Sequence, residues 1–131
     1  VDSHRGWLEK HLAARQAYLS AHPELSAAQT DAWRQQAKET LPPLVAHWAQ
    51  RMGVQPAGIT VTAARTRFGS CSGKNRLSFS LYLMAYPEAA IEYVVVHELA
   101  HIRHHDHSPA FYREVEAYLP DWRARRALLC R

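Results

Sequence analysis

The sequence predicts an α+β fold: N-terminal helices, then a small antiparallel sheet built on a β-hairpin, then a central helix and a C-terminal helix. Three observations predict it. Apolar residues recur at helical spacing up to residue 53, strict alternation replaces it between residues 59 and 83, and the helical period returns after Pro87. At 131 residues, with 47% hydrophobic and 21% charged content, the chain has ordinary globular composition and enough length for one core. One domain is expected, with residues 1–25 as a helical extension and residues 26–131 as the core.

Residues 6–20 read as a helix carrying Trp7, Leu8, Leu12, Ala13 and Leu19, ended at His22-Pro23. Ser26-Ala27-Ala28-Gln29 has the form of a capping box and opens a second helix through Ala32, Trp33 and Ala37. Leu41-Pro42-Pro43 breaks or kinks that pattern. A further segment runs through Leu44, Val45 and Trp48 to Gly53, a fitting C-cap. The tryptophans read as core, because large aromatics dominate the cores of small domains.

Ile59, Val61 and Ala63 alternate with Thr60 and Thr62, a half-buried strand. From Arg76 to Leu83 the alternation is cleaner, with Leu77, Phe79, Leu81 and Leu83 against Ser78, Ser80 and Tyr82. The intervening Arg67-Phe68-Gly69-Ser70-Cys71-Ser72-Gly73-Lys74-Asn75 is rich in turn residues, so the two strands are expected to pair as a hairpin.

The next helix, about Pro87 to Arg103, is apolar nearly all round and is therefore central and buried. It carries His97-Glu98-Leu99-Ala100-His101, a His-Glu-x-x-His run that points to a zinc hydrolase. At about 100° and 1.5 Å per residue, the two histidines lie one turn apart and ~40° apart around the axis, close enough to share one Zn²⁺. Glu98 lies ~60° round from His101, where its carboxylate can reach a water without being a ligand. A third protein ligand is required. His104 would sit ~10 Å along the axis from His97 if the helix continued, too far to share the ion. His107 fits if the chain turns back, because Ser108-Pro109 directly after it supplies an N-cap and a first helical residue. Glu114 or Glu116 on the following helix, Ser108 to Leu119, is the competing third ligand. His4, His11, His22 and His47 read as surface or core residues, and His104 and His105 as solvated or as supporting the ligands from behind.

Cys71 and Cys130 are too few for a disulfide scaffold and lack metal-site spacing. Both read as reduced, and with no export pattern at the start the expected location is cytoplasmic. The first residue is Val rather than Met, as in a piece of a longer protein. No run approaches the ~18 apolar residues of a membrane span. The net charge is +4, and Arg123, Arg125, Arg126 and Arg131 make a basic C-terminus that offers weak contact to nucleic acid. The plainer reading, a solvated helix end whose cations suit the macrodipole, is preferred.

From Arg65 to Trp122 the chain resembles the YgjP-like metallopeptidase family, distantly related to SprT-like zinc proteases. The matching elements are Arg67-Phe68-Gly69-Ser70-Cys71-Ser72, the helix motif with Glu98, His107-Ser108-Pro109-Ala110-Phe111, and Pro120-Asp121-Trp122. The resemblance implies a compact zincin-type fold and one catalytic zinc on His97, His101 and His107. It also implies Glu98 as general base and a protein or peptide as substrate. Phe68 stands where family members often carry Trp, and an upstream segment found in many relatives is not evident. For the cleft and the oxyanion the candidates are Arg67, Gly69, Ser70, His105 and Tyr112, and the sequence does not choose among them. Cys71 reads as a packed thiol rather than a zinc-blocking one. The rival reading is a non-catalytic, zinc-stabilised binding module attached to nucleic-acid processing.

Overall fold

The structure is a computed structural model that describes residues 23–64 and 67–130. The helix expected over residues 6–20 lies outside them. In chain order the described elements are α1 (Pro23–Met52), β1 (Gly58–Thr62), β2 (Gly69–Cys71), β3 (Arg76–Ser80), a 3₁₀ segment (Leu81–Ala85), α2 (Glu88–Ala100), α3 (Pro109–Tyr118), α4 (Trp122–Ala127) and a last 3₁₀ turn (Leu128–Cys130).

The first departure from expectation is α1. It begins at Pro23, so Ser26 lies inside the helix rather than at its start, and it runs unbroken through Pro42 and Pro43. The prolines remove the bonds that the carbonyls of Lys38 and Glu39 would otherwise accept. All four residues lie on the exposed face of the helix. Each interior proline costs about 3 kcal/mol. Against this, the opposite face buries Trp33, Ala37, Leu41, Val45, Trp48 and Met52. Five of those six side chains are large, at about 1.5–3 kcal/mol each. Burial wins, and the helix stays whole.

The sheet departs from the expected hairpin too. β1 and β3 pair in parallel, with Gly58 opposite Arg76 and Thr62 opposite Ser80. The antiparallel partner of β3 is β2, with Cys71 opposite Leu77 and Gly69 opposite Phe79. The hairpin therefore exists one strand later, and its first strand is Gly69–Cys71, the stretch read as connection. Its turn is short: Asn75 N–H donates to the Ser72 carbonyl at 2.9 Å, and Ser72 N–H donates to Arg76 at 2.9 Å. Asn75 takes the left-handed conformation that closes such a three-residue loop, at φ 64°. Strand order is β1-β3-β2, which leaves β2 as an outer strand.

β3 stops at Ser80 rather than Leu83, because the Ser80 hydroxyl accepts the Tyr82 N–H and starts a 3₁₀ turn. Leu81, Tyr82, Leu83 and Met84 are all buried there, so an alternating sequence became a continuously buried segment. Trp33 of α1 meets Tyr82 edge-on, with ring centroids 5.9 Å apart.

Most of the helical elements pack on α2. It touches α1, β2, α3 and α4, and buries ten of its residues, from Ala90 through Ala100. Glu92 on its flank ties two neighbours together, accepting from Trp48 Nε1 of α1 at 3.1 Å and from Arg125 of α4 at 3.0 Å.

Candidate metal centre

The histidine pair leaves α2 where the helix ends. His97 is 1% exposed and His101, its C-cap, 5%. The next turn tightens to 3₁₀ spacing, with Ile102 N–H on Leu99 and Arg103 N–H on Ala100. The chain then turns back through residues 104–107. Asp106 accepts the Ser108 N–H at 3.3 Å, and hydrogen bonding from the Ser108 side chain, then its backbone, holds the Asp106 carboxyl below its ordinary pKa. The Ser108 hydroxyl accepts the Phe111 N–H at 3.3 Å, with Pro109 first in α3. His107 therefore sits just outside α3, as the Ser-Pro junction predicts.

Three imidazoles converge here. His107 Nε2 lies 3.0 Å from His101 Nε2 and 3.2 Å from His97 Nε2. His101 Nδ1 faces the His104 carbonyl at 2.9 Å, and a carbonyl only accepts. That nitrogen must carry the ring proton, so His101 Nε2 points a lone pair at its neighbours. His97 Nδ1 lies 3.4 Å from the Tyr93 hydroxyl, which can either accept its proton or donate to it. Close approach of the Nε2 atoms needs a positive centre between them, a ring proton or a bound cation. Tetrahedral zinc with ligands at 2.0–2.1 Å separates its nitrogens by about 3.3–3.4 Å, close to the observed spacing. The set fits a metal ion, and His97, His101 and His107 form a group able to hold one.

Phe111 backs all three rings, with centroids 5.0, 4.5 and 4.9 Å from those of His97, His101 and His107. Sequence reasoning missed Tyr93 altogether. The signal was present: Tyr93 lies four residues before His97, on the same helical face. The competing ligands do not join the group. Glu114 engages Arg103 and His104, and Glu116 engages Trp122 Nε1 and Arg123.

Glu98 is 1% exposed and lies against β2. A Cβ built at Gly69 would stand 3.1 Å from Glu98 Cγ, 3.3 Å from Phe79 Cδ1 and 3.3 Å from the Ser78 carbonyl. Because one of those neighbours is backbone, Gly69→Ala is expected to lower stability by about 1–3 kcal/mol, as overpacking does; thermal unfolding checks it, and an unchanged midpoint would contradict it.

A cavity of about 210 Å³ opens beside the histidines, lined by Arg67, Ser70, Cys71, His101, His105 and His107. Arg67 and Ser70 also border a second cavity, of about 250 Å³, against Thr62, Ser78 and Ser80 of the sheet. So Arg67, Ser70 and His105 join the cleft, and Gly69 abuts Glu98. Tyr112 is set further back: its ring centroid lies 6.2 Å from that of His107, and it stacks on Trp122 at 5.3 Å.

Of the basic C-terminus, Arg123, Arg125 and Arg126 are engaged within the protein, and Arg131 lies outside the described residues. Burial works against the Arg125 charge, but hydrogen bonds to Asp121 and Glu92 hold its pKa above the ordinary value. Arg123 and Arg126 lie over the Trp122 ring. Among the described residues nothing supports contact with nucleic acid. Nor, among them, is any helix long and apolar enough to cross a membrane.

No curated protein matches the sequence. Among solved structures, the crystal structure of the metallopeptidase zymogen of Pyrococcus abyssi abylysin is similar, with a TM-score of 0.57 and 24% identity over 66% of this chain and 85% of that chain. That likeness is one of fold. The family model of the YgjP-like metallopeptidase domain matches residues 19–131. The α+β core, the three convergent histidines and this match agree: the chain belongs to the YgjP-like metallopeptidase family.

Proposed function

We propose that the chain is a zinc-dependent peptidase, with one Zn²⁺ held by His97, His101 and His107 and with Glu98 as general base. The observation that carries the reading is the approach of His107 Nε2 to the Nε2 atoms of His101 and His97, at 3.0 and 3.2 Å, the Nδ1 of His101 being committed to a carbonyl. When bound, the ion supplies Lewis acidity that polarises a peptide carbonyl and acidifies water. Glu98 follows His97 directly, is buried, and lies against Gly69 of β2. Its carboxylate takes the proton of the attacking water and passes it to the departing amine, a transfer worth about 10²–10⁴ in rate.

The substrate is a peptide laid along β2, the outer strand beside the site, pairing main chain to main chain. Side chains of a strand bound there alternate between the two faces of the sheet. The two cavities that share Arg67 and Ser70 suit that alternation. Arg67 and His105 line the cavity with His101 and His107, which favours them over Tyr112 as stabilisers of the developing oxyanion. The basic C-terminus has no role in this reading, and neither does a nucleic-acid partner.

Chelation tests it. Protein stripped of metal is expected to lose cleavage of unfolded protein substrates, and one equivalent of zinc to restore it, followed by metal analysis beside peptide release. Absence of cleavage across such a panel at full zinc loading would overturn the proposal.

A further inference from the structure

We infer that Glu114 is a positioning residue that sets the His101 ring for metal, acting through His104; the inference rests on the zinc-peptidase reading above. The turn between His101 and His107 has apolar anchors only at its ends, Ile102 on the core and the His107 ring on Phe111; between them Arg103, His105 and Asp106 are exposed and His104 half-buried. Such a turn keeps its shape through polar links. Glu114 supplies them from the second turn of α3. Its Oε2 accepts from Arg103 Nη1 at 3.1 Å, and its Oε1 pairs with His104 Nε2 at 2.9 Å.

Two further contacts give the clamp direction. Arg103 Nη2 donates to the Gly53 carbonyl at 3.1 Å, tying the turn to the end of α1, fifty residues away in sequence. The His104 carbonyl accepts the Nδ1–H of His101 at 2.9 Å. One path of hydrogen bonds and one residue's backbone thus join Gly53, Arg103, Glu114, His104 and His101. The Glu114 side chain is only 10% exposed, against 45% for Arg103 and 30% for His104. It is therefore more than a solvated surface ion pair, a class that contributes little. A group that orients the proton on the far nitrogen of a ligand histidine fixes ring and tautomer together, and losing such support weakens metal binding by about 10–100-fold.

The test measures zinc affinity by competition with a chelating dye, on the whole chain. Glu114→Gln keeps the shape but cannot accept from both partners, and His104→Ala keeps the carbonyl while cutting its link to Glu114. Both are expected to raise the zinc Kd by about 10–100-fold. In zinc-loaded wild type the His101 Nδ1 proton should give a slowly exchanging NMR signal that broadens or disappears in both variants. A merely structural role would lower the melting temperature of the metal-free protein and leave that signal in place. Should Glu114→Gln fail to fold, His104→Ala, at a more exposed position, decides alone. Wild-type zinc affinity and an intact signal in the folded variants overturn the inference. A wild type that binds no zinc overturns the underlying reading as well.

Discussion

Glu98→Gln is expected to abolish peptide cleavage while keeping one zinc per chain. The amide matches the carboxylate in shape but cannot take a proton from water, so the loss should reach the about 10²–10⁴ of a positioned general base. Folding should survive. Glu98 is 1% exposed, and replacing a buried charge by a neutral group of equal volume removes desolvation cost along with attraction. Turnover of a quenched peptide, metal content and thermal midpoint measured together check this. Wild-type turnover in the zinc-loaded variant would exclude Glu98 as the base.

His107→Ala has the second large expected effect, and on a different quantity. His97 and His101 remain on α2, but two nitrogens do not make the three-ligand site that catalytic zinc requires. The wild type should be stabilised by zinc by about 4 kcal/mol at a concentration 1,000-fold above its Kd. That stabilisation should vanish in the variant, together with cleavage. The metal-free melting temperature should move little, since His107 is half-buried on a turn. Thermal unfolding with and without zinc reads both. A full zinc-induced shift in His107→Ala would show that another residue completes the site.

The site was legible to the extent that its chemistry is local in sequence. A four-residue spacing puts His97 and His101 on one helical face, and Ser108-Pro109 announces the start of α3, which places His107 before it. Positions fixed by side chains distant in sequence were harder to see. The His104 carbonyl that orients His101 has no sequence signature, because every residue carries a carbonyl. Its neighbour Glu114 read as a rival ligand, and the structure turns it instead toward Arg103 and His104.

The fold shows the same division. Alternation at 59–63 and 76–80 reveals two strands, but period alone carries no partner and no direction. With β2 on one edge of β3, β1 takes the other, where it runs parallel, and β2 is three residues long, too short to display a period. At Pro42-Pro43 the local rule for prolines meets a tertiary fact: the prolines lie on the exposed face and the opposite face is core.

Anomalous diffraction at the zinc edge, on crystals grown with one equivalent of the metal, tests the central claim most directly. The expected map has a single strong peak at about 2.0–2.1 Å from the Nε2 atoms of His97, His101 and His107 alike. A peak elsewhere, or three rings turned toward separate partners with no peak among them, would contradict it.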